Sequence, residues 1–151
     1  MAATDTLKIH RVFKTTPEKL YKAFLDPDAL VKWFPPNGCT GKVLKMEPKV
    51  GGECHFVFIN FATGKEVHSA KWKYVELIPG KRLRYINTDD PNIQSKEQVT
   101  VNLRSVMGVT ELNYTQECMP TDIPVEMCYL AWQGLLENLA HIVEPVIPDG
   151  P

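Results

Sequence analysis

The sequence predicts a single α+β domain in which a curved antiparallel sheet of about seven strands closes around one long C-terminal helix, with two short helices after the first strand. Three observations carry that prediction. From residue 40 to 118 apolar residues recur with period two, in runs separated by turn residues. Thr16-Pro17-Glu18 and Asp26-Pro27 are two helix starts in close succession. The strongest 3.6-residue pattern comes last, just before a proline-rich tail.

Each element follows in order. Leu7-Lys-Ile-His-Arg-Val-Phe13 alternates and reads as a strand. Thr16 supplies a hydroxyl N-cap, Pro17 the first helical position and Glu18 an acid for the first turn. Leu20, Ala23 and Phe24 form that helix's apolar stripe. The second helix carries Leu30, Val31, Trp33 and Phe34 and is stopped by Pro35-Pro36.

Strands are then predicted around 41–47, 53–61, 67–78, 82–88, 97–105 and 109–118. Turns fall at Gly51-Gly52, Thr63-Gly64, Pro79-Gly80, Asp89-Asp90-Pro91-Asn92 and Met107-Gly108. Connections this short make hairpins, hence an antiparallel sheet with one wet face. Lys71 and Lys73 alternate with Ala70, Trp72 and Tyr74, which divides that strand into a wet and a dry side. A helix from about 123 to 143 closes the chain, with Asp122 as N-cap and Pro124 in its first turn. Its predicted apolar stripe is Cys128, Ala131, Trp132, Leu135, Leu139 and Ile142, with Glu126, Gln133, Glu137, His141 and Glu144 facing away. About 20 residues give a helix of about 30 Å. Six buried side chains at about 1.5–3 kcal/mol each make it a principal core element. One helix covers seven strands only if the sheet curls, and a gap between the two is a natural result. The domain core spans residues 7–144, with flexible ends at 1–5 and at 145–151, where three prolines fall in seven residues.

Composition excludes several function classes. Among 151 residues, 44% are hydrophobic and 23% charged, an ordinary globular balance. A formal net charge of −1 gives no whole-molecule attraction to nucleic acid. No apolar run approaches the roughly 18 residues of a membrane span. The N-terminal residues lack the features of a signal peptide, so a cytoplasmic location is expected. Cys39, Cys54, Cys118 and Cys128 then read as small buried apolar residues in a reducing compartment.

No familiar catalytic motif occurs: no phosphate-binding glycine loop, no Gly-x-Ser-x-Gly, no His-Glu-x-x-His. Folding at Thr63-Gly64 pairs His55 with about Trp72 and His68 with about Ile59, so these two do not converge. His10 lies on the first strand and His141 on the outer face of the last helix, which leaves no metal set. No acid or histidine is placed in the interior gap. Glu76 ends a strand and is expected to pair with a basic neighbour. The chain therefore reads as non-enzymatic, without cofactor or metal. The ligand-binding candidates are the residues predicted to line the gap: Phe56, Phe58, Trp72, Tyr74, Tyr85, Val101, Leu103, Leu112, Tyr114, Trp132 and Leu135. Asn60, Asn87 and Gln116 share those strand faces.

The order of elements, with particular words in the chain, resembles the START-like (SRPBCC) superfamily, in its branch related to the activator of the heat-shock protein 90 ATPase. The words are Ala23-Phe24-Leu25-Asp26-Pro27 with Trp33-Phe34, Gly51-Gly52, Tyr74-Val75-Glu76-Leu77-Ile78-Pro79 with Arg82-Leu83, Val99-Thr100-Val101, Thr110-Glu111-Leu112, Ala131-Trp132 and Leu136-Glu137-Asn138-Leu139. The resemblance implies a helix-grip fold with a cavity between helix and sheet, where members of the superfamily hold lipids, hormones or polyketides. It implies a small apolar or amphipathic ligand for this chain, or a chaperone or other protein partner bound at the surface. A few members cyclise or dehydrate their ligands, which implies as a further alternative an enzyme of the cyclase or dehydratase type using the cavity tyrosines. Full-length heat-shock activators carry a further N-terminal domain, and this chain matches only their C-terminal module. Trp72 stands where that branch usually has glycine, so it is expected to fill part of the cavity, its N–H seeking Asn87 or Gln116.

Overall fold

A computed structural model describes residues 4–36, 38–88, 97–120 and 124–144. In chain order the elements are β1 (Thr4–Phe13), α1 (Pro17–Leu25), α2 (Pro27–Trp33), β2 (Cys39–Met46), β3 (Glu53–Asn60), β4 (Glu66–Ile78), β5 (Arg82–Asn87), β6 (Gln98–Val106), β7 (Val109–Pro120) and α3 (Val125–Val143). The seven strands form one antiparallel sheet in the order β1-β7-β6-β5-β4-β3-β2. From β2 to β7 it is an unbroken meander, and β1 closes onto β7. Irregularities at Asp5/Leu7, Val43/Lys45, Phe58/Ile59 and Tyr74/Glu76 interrupt the ladders, and such bulges bend and twist a sheet. This is the helix-grip architecture. The predicted turn at Asp89–Asn92, the Asp122 cap and the terminal tail lie outside the described residues.

Local chemistry places the short helices as read. Thr16 Oγ1 accepts from Lys19 N at 3.2 Å, and Asp26 Oδ1 from Asp28 N at 2.9 Å, so each cap satisfies an amide that has no helical partner. The Trp33 indole donates to the Ala23 carbonyl at 2.9 Å and locks α2 onto α1. Met107 and Gly108 both take positive φ, 49° and 86°, as a two-residue hairpin between right-twisted strands requires.

The helix α3 departs from expectation at its start and around its axis. Pro124 is the N-cap rather than a first-turn residue, and no side chain caps the helix there. The fully buried face is Leu136, Leu139, Ala140 and Val143, whereas Cys128, Trp132, Leu135 and Ile142 are half-buried and Ala131 is exposed. The N-terminal half is apolar on nearly every side, so two stripes were available, and packing against β1 and α2 selects one. The cysteines need a similar correction: Cys54 is buried, but Cys39 and Cys128 are only half so, and the Cys118 side chain is not described.

Candidate functional site

The concave face of the sheet divides into a sealed region and an open one. In the sealed region Phe56, Tyr74, Val101 and Leu112 are fully buried among Phe13, Leu20, Leu83 and Leu139, and none of the four lines a cavity. Leu103 is also buried, at the edge of a groove on the outside of the sheet. That groove, of about 800 Å³, is lined largely by polar and charged side chains, and Arg82, Arg104 and Glu111 among them are already paired. Arg82 meets Asn102 at 2.7 Å and Glu76 at 3.3 Å, and Arg104 meets Glu111 at 3.0 Å. It is a solvated polar face.

In the open region a chamber of about 200 Å³ lies between α3 and the sheet. Trp72, Tyr85 and Tyr114 form its walls with Phe34, Phe58 and Trp132, and Asn87, Gln116 and His68 add polar edges. A second, apolar recess of about 260 Å³ adjoins it, reaching Val67, Ala131 and Leu135. Phe34, Phe58, His68 and Trp132 border both. Phe34 and Trp132 stand 6.1 Å apart, and Trp132 lies against Tyr114 at 4.1 Å between ring centres. Of the residues read from sequence, the chamber and its annex bring together Phe58, Trp72, Tyr85, Tyr114, Trp132 and Leu135. Asn87 and Gln116 join them. Asn60 does not, because its Oδ1 accepts from Ala62 N at 2.9 Å and Thr63 N at 3.1 Å in the hairpin turn.

Two polar groups at this site were not found from sequence. His68 pairs with Phe58 rather than Ile59, and His55 with Lys71 rather than Trp72. His68 alternates with Ala70 and Trp72 along β4 and so shares their face, where it borders the chamber, stacked on Phe58 at 5.7 Å. Glu97, just before β6, accepts from Gln116 Nε2. Gln116 Oε1 in turn accepts from the Tyr114 hydroxyl at 2.8 Å. The floor thus carries a continuous chain, Tyr114–Gln116–Glu97. A period-two pattern detects apolar alternation, and a glutamine and a glutamate at a strand end leave no such signal.

Burial controls the protonation of this interior. Desolvation is the leading cause that raises the phenols of Tyr85 and Tyr114 far above their ordinary range, reinforced at Tyr85 by Tyr74, Cys54 and Glu97 and at Tyr114 by Tyr85 and Glu97. Tyr74 is raised chiefly by desolvation, and the Cys54 thiol is pushed up to about 12 by the same cause. These groups stay neutral at physiological pH, so neither a thiolate nor a phenolate is available as a nucleophile. The Trp72 indole N–H is buried without a hydrogen-bond partner of acceptable geometry, as is the Tyr74 hydroxyl close to it. The expected bond from Trp72 to Asn87 or Gln116 is not made, although Asn87 faces Trp72 across the ladder: Gln116 is engaged by Tyr114 and Glu97. His10 lies 3.5 Å from Glu111 and His141 3.4 Å from Glu137, both at the surface. Among the described residues no group of three His, Cys, Asp or Glu side chains is placed to hold a metal, and no helix is long and apolar enough to cross a membrane.

Comparison with known proteins agrees with this architecture. Residues 14–144 match the family described as Activator of Hsp90 ATPase homolog 1-like protein. A crystal structure of a Chromobacterium violaceum protein is 42% identical, covers 93% of this chain and 98% of its own, and superposes with a TM-score of 0.85. The Aha1 dimer of Colwellia psychrerythraea, solved in solution, is 20% identical with a TM-score of 0.73, covering 93% of this chain and 96% of that one. An AHSA1-like protein of Aeromonas hydrophila is 18% identical with a TM-score of 0.74, covering 89% and 90%. No curated protein matches the sequence.

Proposed function

We propose that this chain, which belongs to the family of Activator of Hsp90 ATPase homolog 1-like proteins, binds a small amphipathic molecule in the chamber between α3 and the sheet and does not turn it over. The observation that carries the reading is the composition of that chamber: aromatic walls with Asn87, Gln116, His68 and two tyrosine hydroxyls set around them. Small-molecule sites have this form, apolar enclosures with a few convergent polar groups, in the range of roughly 300–1,000 Å³ that chamber and annex approach together. The reading without turnover is supported by the chemistry of the buried groups, with His68 the one imidazole or carboxylate side chain that borders the chamber among the described residues. The buried phenols and thiol are held neutral, and the amide Gln116 stands between Glu97 and the tyrosines where a proton relay needs a titratable group.

A neutral naphthalene-based polarity dye tests the reading. Its fluorescence should rise and shift blue with the wild-type protein. Ala70→Phe should abolish that response with the fold intact, since Ala70 lines the chamber opposite Phe56. A response equal in both proteins would place the dye elsewhere and reject the chamber as the site.

A second reading rests on a different observation. The exposed side of α3 carries Met127 and Leu130, 61% and 69% accessible, on a helix otherwise used for packing. Apolar exposure of this kind suits contact with a protein, and the Colwellia relative is described as a dimer. Sedimentation of wild type and Leu130→Ser across a concentration series decides it: self-association lost in the variant supports the surface reading, and a monomer throughout removes its dimeric form.

A further inference from the structure

Six aromatic side chains line the chamber, and each comes from a different part of the chain: Phe34 after α2, Phe58, Trp72, Tyr85 and Tyr114 from four strands, and Trp132 from α3. They are joined ring to ring. Phe34 lies 5.6 Å from Phe58 and 5.6 Å from Trp72, and Trp72 5.3 Å from Tyr85. On the other side Phe34 lies 6.1 Å from Trp132, and Trp132 4.1 Å from Tyr114. Phe34 is inclined at 67° to Trp72 and at 61° to Trp132, so the rings enclose the space from several directions rather than forming one stack. Filling a core does not need this. The sealed region relies on Leu20, Leu83, Val101, Leu112 and Leu139, whereas Ala70 and Val99 are the only aliphatic residues lining the chamber among the described residues.

Aromatic faces are negative and attract cations, most strongly where water is excluded. The charges around the chamber act in the same sense. Neither the chamber nor its annex is lined by lysine or arginine among the described residues. Half-buried Glu97 accepts from Gln116 behind the floor, and after desolvation it is among the groups that raise Tyr85 and Tyr114, so its field reaches the chamber. Glu97 itself does not line the space, because the Gln116 amide stands in front of it. A cation here is therefore attracted without forming an ion pair. A quaternary ammonium suits that arrangement: it has no N–H to satisfy and is held by ring faces alone. A carboxylate would lose its hydration and meet no fixed cation.

We infer that the chamber is an aromatic cage for a quaternary ammonium head, whose apolar chain lies in the annex beside Val67, Ala131 and Leu135. The inference rests on the ligand-binding reading above and adds the chemical class of the ligand.

Three probes of one shape and different charge test it: choline, 3,3-dimethylbutan-1-ol and 3,3-dimethylbutanoate. A fourth, 2-naphthol, is a neutral reporter of whether the chamber admits a ligand. Each is titrated into the full chain at about pH 8, above the roughly 6.5 of a free imidazole, with NMR as the readout. Choline should bind at least about fivefold more tightly than the alcohol and move the Trp72 and Trp132 indole signals, with its N-methyl resonance shifted upfield by the rings. The butanoate should bind most weakly. Hexyltrimethylammonium should exceed choline, its chain entering the annex. Trp132→Leu keeps apolar bulk at a half-buried position and removes a ring face, so it should narrow the gap between choline and the alcohol several-fold. Glu97→Gln removes the charge and keeps the shape, and should narrow the same gap. Choline no tighter than the alcohol, or a gap unchanged in either variant, would overturn the cage, and 2-naphthol still bound would leave the chamber a binding site. Failure of 2-naphthol and of every other probe to bind would overturn the binding reading together with this one.

Discussion

The two halves of α3 share one sequence pattern and have opposite fates. From Leu135 to Val143 the helix is embedded: Leu136, Leu139, Ala140 and Val143 are buried, and polar anchors hold its outer edge. Arg11 meets Glu137 at 2.7 Å, and the Lys14 amide donates to Glu144 at 2.8 Å, tying this half to β1 and its continuation. From Val125 to Gly134 nothing is fully buried, the N-terminus has no side-chain cap, and Trp132 stands over the chamber. A half-packed apolar helix is what a binding wall requires. Burying all of it would fill the chamber, and making it polar would remove the wall. Stability is concentrated at one end of the helix and the site lies at the other.

The largest effect that sharpens this contrast is expected at Trp72, the boundary between the sealed core and the chamber. Trp72→Ala should cost about 3–5 kcal/mol in denaturant unfolding and enlarge the chamber, with a gain in binding of bulky apolar dyes. Destabilisation without that gain would make Trp72 plain core. Leu139→Ala, in the buried half, should cost about 2–5 kcal/mol with no change in dye binding. Trp132→Ala should do the reverse: a loss of only about 0.5–3 kcal/mol, as for an ordinary substitution, with dye binding abolished.

An alkaline scan examines the buried thiol and phenols of the sealed region and the chamber together. Cys54, Tyr74, Tyr85 and Tyr114 all have raised pKa values in the fold, with desolvation the leading cause. Each is neutral when protonated, so the unfolded chain releases its protons first. Their contribution is fully present below about 8.5, the free thiol value, and is lost as pH rises towards about 12. The midpoint of unfolding should fall steadily above pH 9, and a flat profile would mean that these groups are hydrated. The smallest effect is expected at Leu130→Ser, within about 0.5 kcal/mol in unfolding, because that side chain is exposed.

The contrast between the halves also marks where sequence reasoning stopped. All seven strands were legible to within about three residues, because alternation and turn residues are local signals: Gly80 and Gly108, for example, sit in turns at positive φ. The buried face of α3 was legible only in part: Cys128, Trp132, Leu135, Leu139 and Ile142 do pack on the core, but the fully buried Leu136, Ala140 and Val143 lie beside that stripe, and only tertiary packing sets the rotation that buries them. His68 was missed for a sharper reason. Strand parity already sets it on the face of Ala70 and Trp72, but only apolar and aromatic residues were followed along that face, and a histidine near the hairpin end was passed over. Glu97 reaches the floor through Gln116, a side-chain relation across two strands that no spacing in the sequence records.

Amide hydrogen exchange along α3, with and without 2-naphthol, tests the central claim most directly. In the free protein amides from 136 to 143 should exchange slowly and those from 125 to 134 rapidly, reflecting the sealed and open halves. Saturating ligand should slow the 125–135 stretch by about tenfold or more and leave 136–143 unchanged. Equal protection of both halves in the free protein, or ligand-induced slowing confined to the buried half, would contradict the division of α3 into a structural end and a binding end.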